Sequence, residues 1–197
     1  MMGDNNDYDS INQEILKTIQ ISSQEHMLIK SLEKFYFSNN NMNIMLPIVR
    51  GESNISMRLI DFFVTNYSKR NRVTYNIEEN GVKNIFNVYL SYKSQLKAFN
   101  KKYFDPFSRG NRIPFFFPDD CIITTIGQLN FFKWAINNLI LDYISLNYKE
   151  IENDMNICYN NIHKVKETNS RKKRQEISKS ATRGLNSNKI KVVIEFN

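Results

Sequence analysis

Apolar positions along the chain recur at helical spacing in some segments and alternate in others. Ile11, Ile15 and Ile19 fall at i, i+4, i+8 behind Ser10, which predicts a helix over 11–19. Ser22-Ser23-Gln24-Glu25 reads as an S-x-x-E capping box, with either serine as the cap. Met27, Leu28, Ser31, Leu32, Phe35 and Tyr36 mark one face of the helix behind it, and Ser38-Asn39-Asn40-Asn41 stops it. Pro47 and Gly51 then argue against a continuous helix over 43–54. Ser53 or Asn54 is placed to cap an amphipathic helix over 55–67, with Leu59, Ile60, Phe63, Val64 and Tyr67 as its stripe. Lys69, Arg70 and Arg72 close it, as suits the helix dipole.

The period then changes from 3.6 to 2. Residues 73–77 and 85–93 alternate as strands, and Asn80-Gly81 is a turn dipeptide between them. Their separation predicts a loop longer than two residues. A third strand is expected over 112–117, with Pro114 marking an edge or a strand end. Pro118-Asp119-Asp120 breaks the chain again, and Thr125-x-x-Gln128 is a capping box. It opens the best helix in the sequence, over 127–147, striped by Leu129, Phe132, Ile136, Leu139, Ile140 and Tyr143 and continued to about Ile162. Residues 189–196, KIKVVIEF, read as a last strand that returns to the sheet.

These elements predict an α+β fold: a small antiparallel sheet of three to four strands packed by three to four helices, with a long C-terminal helical region and a basic arm. The expected organisation is an acidic disordered tip at 1–8, one globular domain at 9–166, a flexible basic segment at 167–188 and the terminal strand at 189–197.

Composition narrows the class. At 197 residues and 41% hydrophobic, the chain is long enough to bury a core without staples. Its two cysteines, Cys121 and Cys158, exclude a disulfide scaffold and an all-cysteine zinc site. No apolar run has the length of a membrane span, so no membrane partner is expected. The acidic start MMGDNNDYDS is unlike a secretory signal, and Met1-Met2-Gly3 departs from the myristoylation pattern. The expectation is a soluble protein of a reducing compartment. The 28 Asn and 24 Ile, spread over the whole chain against 3 Ala, reflect A/T-rich codons rather than a prion-like segment.

Charge changes the picture more. The net +7 resolves into +8 between Lys164 and Lys191 and −1 over the remainder. Arg171, Lys172, Lys173, Arg174, Lys179 and Arg183 carry most of it, in a segment with no apolar stripe. Such an arm neutralises phosphates and releases counterions; it also suits a nuclear-import address or a plain solubilising tail.

Three further clusters are candidates. Gly51, Ser53, Asn54 and Ser56 form a helix start that offers backbone N–H groups to an anion, flanked by Arg50 and Arg58. The blander reading is a helix cap with an Arg50–Glu52 or Arg58–Asp61 pair. Lys101 to Arg112 interleaves basic and aromatic residues, with Arg109 and Arg112 as phosphate contacts. Aromatic residues beside Pro106 equally plug a core. Asp105, Asp119 and Asp120 hold the donor chemistry of a Mg²⁺ nuclease, but the acids suit a helix or strand start, and no metal or cofactor is expected. His26 and His163 lie far apart and make no ligand spacing.

The segments PIVRGESNISMRLIDFFVTNYSKR, FDPFSRGNRIPF, TTIGQLNFFKWAINNLILDYI and RKKRQEISKSATRGLN together resemble an uncharacterised conserved protein family of large nucleocytoplasmic DNA viruses of protists. The resemblance covers about Ile44 to Leu185. The family's turn is richer in Arg and Cys, and Ser108 and Gly110 depart from it, which counts against phosphate or metal binding by the turn. The resemblance implies a host-cytoplasmic viral factory or a virion and no particular chemistry.

The expected function is therefore non-enzymatic nucleic-acid binding, DNA in the first instance, in a virion-associated or transcription-accessory role with a possible viral protein partner. The alternative is an interaction protein whose basic segment only solubilises or targets it. A metal-dependent nuclease is third.

Overall fold

A computed structural model describes residues 22–37, 41–79, 81–107, 109–117 and 120–168. The chain divides into two compact units, residues 1–157 and 158–197. Of the second, only residues 158–168, the last turns of a helix, are described. The acidic tip, the helix expected over 11–19, the side chains of the basic segment and the terminal strand lie outside the described residues.

The α+β class holds, with helices predominating. The first unit begins with α1 (Ser23–Phe37) and α2 (Asn41–Arg50). Ser22 and Glu25 close the α1 capping box reciprocally: the Ser22 N–H donates to Glu25 Oε2 at 2.9 Å, and the Glu25 N–H donates to Ser22 Oγ at 3.3 Å. The helix of α2 runs through Pro47, contrary to the sequence expectation. Pro47 removes the N–H that would bond the Asn43 carbonyl, and the helix ends three residues later. The Pro47 carbonyl accepts from Glu52 and Ser53 N–H at 2.8 and 3.1 Å. Gly51, at φ +76°, does terminate α2.

Next comes α3 (Met57–Phe62), which passes through a π-helical turn (Phe63–Tyr67) into α4 (Ser68–Arg70). Its cap is Ser56 rather than Ser53 or Asn54, with the Leu59 N–H donating to Ser56 Oγ at 3.1 Å. The side chains of Thr65 and Ser68 donate to the carbonyls of Asp61 and Val64 across the widened turn.

The strands form two separate hairpins rather than one sheet. β1 (Thr74–Glu79) pairs antiparallel with β2 (Val82–Asn87). Glu79 is opposite Val82, so the turn has two residues and not the longer loop expected. Gly81 supplies the positive φ such a turn needs. β2 stops at Asn87, six residues short of the alternating run. Asn87 Oδ1 accepts from the Leu90 N–H at 2.9 Å and starts α5 (Val88–Tyr103). β3 (Arg112–Phe117), as expected, pairs with β4 (Asp120–Thr125), which hydropathy did not single out.

The single long helix expected after Thr125 is three: α6 (Ile126–Asn137), α7 (Ile140–Leu146) and α8 (Tyr148–Thr168). Leu139, in the left-handed region at φ 53°, separates the first two. α6 is buried nearly all round, from Ile126 through Ala135, and packs on α1, α2, α5, α7 and β4. Phe104, Phe131 and Trp134 meet at ring distances of 5.2 to 5.6 Å beside it. Two polar contacts fix its neighbours: Tyr36 O–H donates to the Leu129 carbonyl at 2.6 Å, and Trp134 Nε1–H donates to Ser91 Oγ at 3.0 Å.

Candidate nucleic-acid interface

α5 carries the most basic surface in the described residues. Its sixteen residues include four lysines and no acid. Tyr89, Lys93 and Lys97 follow one another at four-residue spacing, which puts them on one face, about 6 Å apart along the axis. Lys93, Lys97 and Lys101 are exposed and Tyr89 is half-buried. From α4, Lys69 Nζ stands 5.7 Å from the centre of the Tyr89 ring. Lys69 thus stands at the Tyr89 end of the Tyr89–Lys93–Lys97 row.

Asn100 breaks α5 near its end, at φ 52° and ψ −179°, a conformation largely reserved for glycine. Its side-chain oxygen accepts from the Lys102 N–H at 2.8 Å. Beyond the kink, Lys102 turns to Glu25 at 3.0 Å and to the Tyr103 hydroxyl at 2.8 Å, and so is joined to α1. Hydrogen bonds from Ser22 and Lys102 hold the Glu25 carboxyl at a pKa of about 2.

The aromatic turn that follows is part of the core. Phe104 and Asp105 are 1% and 7% exposed. The amides of α6 hold the turn: Gln128 Nε2 donates to the Pro106 carbonyl at 2.8 Å, and Asn130 Nδ2 to the Tyr103 carbonyl at 2.9 Å. The Asp105 N–H donates to the Gly127 carbonyl at 3.2 Å. Gln128 also accepts from Thr124 Oγ1 at 2.8 Å, so its side chain is saturated at both ends.

Arg109 is committed to this turn. Its Nε and Nη2 donate to the two Asp105 oxygens at 2.7 and 2.8 Å, and its guanidinium lies 5.0 Å over the Phe107 ring. The charge of this sequence-selected phosphate contact is therefore balanced within the turn. Asp61 on α3 completes the cluster. Burial raises its carboxyl pKa, opposed by Arg109 and reinforced by Asp105. Tyr92, buried on the inner face of α5 beside the same charges, is pushed up to about 12, chiefly by burial. Opposite charges at close quarters make this cluster a structural lock on the turn rather than a net positive surface.

The other expected residues are dispersed. Arg50 ends α2 and Arg58 lies in the first turn of α3, both exposed. Between them, the hydroxyls of the expected anion-binding start are used internally. Ser53 Oγ accepts from the Ile55 N–H at 3.1 Å, and Ser56 Oγ caps α3. Gly51 serves the end of α2, and Asn54 is exposed. Arg112 is the exposed first residue of β3, opposite Thr125. Arg171, Lys172, Lys173, Arg174, Lys179 and Arg183 lie outside the described residues, as does Asp119. Among the described residues no group of three or more His, Cys, Asp and Glu gathers to hold a metal ion. No helix among them is long and apolar enough to cross a membrane.

Over residues 6–195 the chain matches a family of unknown function, DUF7197. It belongs to that family. A relative, the uncharacterized protein L507 of Acanthamoeba polyphaga mimivirus, is 39% identical over 168 residues, 82% of this chain. The match spans 64% of that relative's length, so the mimivirus protein is the longer of the two. No solved structure matches the chain. The giant-virus resemblance of the four sequence segments is thereby established, and this DUF7197 member presents its lysine row on an α+β fold.

Proposed function

We propose that this DUF7197 member is a non-enzymatic nucleic-acid-binding protein. The observation that carries this reading is the row of Tyr89, Lys93 and Lys97 on an acid-free helix, with Lys69 of the neighbouring helix over the Tyr89 ring. Three exposed ammonium groups on a near-neutral body suit the phosphate backbone, which is read by charge and not by sequence. The basic segment Arg171–Arg174 with Lys179 and Arg183 supplies a second source of the same affinity. Arg109 enters indirectly, through the turn that ends α5. In a giant-virus family, this activity suits a DNA-associated protein of the virion or of the viral factory.

The test is fluorescence anisotropy with a generic duplex and a single strand, using the full chain, a Lys69→Gln/Lys93→Gln/Lys97→Gln variant and a deletion of 167–188. Each change is expected to weaken binding at low salt, and their combination to abolish it. Full affinity in the combined variant would remove the phosphate-binding reading and leave an interaction protein with a solubilising tail.

A further inference from the structure

Beyond the choice of nucleic acid as ligand, on which it rests, the start of α5 carries information about strandedness. Two apolar side chains are exposed around the head of the lysine row, and Tyr89 there is half-buried. Ile85, on β2, is 79% exposed, and Leu90, in the first turn of α5, is 65% exposed. Tyr89 lies between them in sequence and opens the Tyr89–Lys93–Lys97 row. Lys69 stands over its ring from the neighbouring helix. The ring's hydroxyl has no role in the polar networks of the core described above, unlike those of Tyr36, Tyr67 and Tyr75, which bond Leu129, Glu150 and Asn138.

We infer that this junction is a stacking platform and that the preferred ligand is a single strand. A duplex keeps its base faces inside the stack and offers a basic surface only phosphates. A single strand also presents unstacked bases, and an aromatic side chain beside apolar neighbours gives one of them a surface. The lysines then track the backbone leading away from the stacked base, at about 6 Å for each four-residue step along the helix. Charge complementarity and exposed apolar area thus coincide at one end of one helix. A purely solvated lysine face has no use for an exposed Leu90 in its first turn. Because stacking is tolerant of base identity, the platform discriminates strandedness and not sequence.

The experiment compares an oligothymidylate of about twenty nucleotides with a duplex of equal length, at fixed salt, for the full chain and its Tyr89→Leu and Tyr89→Phe variants. The expected result is tighter binding of the single strand, reduced about tenfold by Tyr89→Leu and retained by Tyr89→Phe. Duplex binding should change little in either variant. Equal loss on both ligands, or no loss on the single strand, overturns the stacking platform while leaving phosphate binding intact. If neither ligand binds in a salt-sensitive way, the underlying reading fails as well. The Phe variant keeps the ring, so its behaviour separates stacking from a folding defect.

Discussion

Gly127 faces the backbone of Lys102 so closely that a Cβ added to it would stand 2.8 Å from the Lys102 carbonyl oxygen and 3.3 Å from the Phe104 nitrogen. The start of α6 and the end of α5 touch here through backbone, with the Asp105 N–H to Gly127 carbonyl bond beside the contact. Neither wall is a flexible side-chain tip. Gly127→Ala is therefore expected to lower stability by about 2–4 kcal/mol. Gly110→Ala is the matched control, since its added carbon meets the same carbonyl oxygen at 3.6 Å, ordinary contact. Thermal unfolding of the two variants checks this, and equal midpoints would contradict it.

The Asp105–Arg109 pair locks the turn, and its two members differ in exposure. The Asp105 side chain is 9% exposed and that of Arg109 65%. Losing the exposed donor therefore matters more than neutralising the buried acceptor. Arg109→Ala leaves the buried Asp105 carboxylate without its cation and is expected to cost about 1–2 kcal/mol, and Asp105→Asn less, because it keeps an acceptor and leaves only an exposed guanidinium for water to solvate. Denaturant titration of both variants ranks them.

Asp61 points the other way. Burial outweighs the attraction of Arg109 and raises its pKa in the folded chain, so its charged form opposes folding at neutral pH. Asp61→Asn is expected to raise the melting temperature at pH 7 and to have a smaller effect below the carboxylate range, where Asp61 is protonated in both states. A lowered melting temperature at pH 7 would show that its attraction to Arg109 dominates.

The Glu25 network gives a pH signature of opposite sign. With its folded pKa at about 2 against 4.5 unfolded, the stabilisation is fully present above pH 4.5 and is lost as pH falls toward 2. Its full size is on the order of 2 kcal/mol, allowing for its place near the surface. Glu25→Gln should flatten the stability profile in that window while lowering the plateau at neutral pH. Denaturant unfolding between pH 7 and 2 reads both.

Local signals carried the caps well, because a cap is a short-range arrangement. Ser22 with Glu25 and Thr125 with Gln128 are readable within four residues, and both serine and threonine cap as expected. Gln128, however, turns from its own helix start to Thr124 and Pro106, a choice made by packing and not by local sequence. The run over 85–93 fits a strand and a helix equally until Asn87 is recognised as a cap, because Val88 and Tyr92 are buried at helical spacing while the letters alternate. That ambiguity hid the lysine row: read as a strand and loop, Lys93 and Lys97 share no face. The link between Lys69 and Tyr89 was equally hidden, since it joins separate elements. Arg109 illustrates the converse. Its residue type suggested a phosphate contact, and only the fold reveals that Asp105 occupies it.

The dependence of affinity on salt tests phosphate binding by the α5 face most directly. The full chain is expected to lose affinity for a single strand steeply and linearly in a double-logarithmic plot between 50 and 200 mM salt, a range over which about 0.7 of a counterion is released per phosphate neutralised. The Lys69→Gln/Lys93→Gln/Lys97→Gln variant should show a slope shallower by about 2. A slope identical to that of the unaltered chain would contradict the assignment of these lysines to the phosphate backbone.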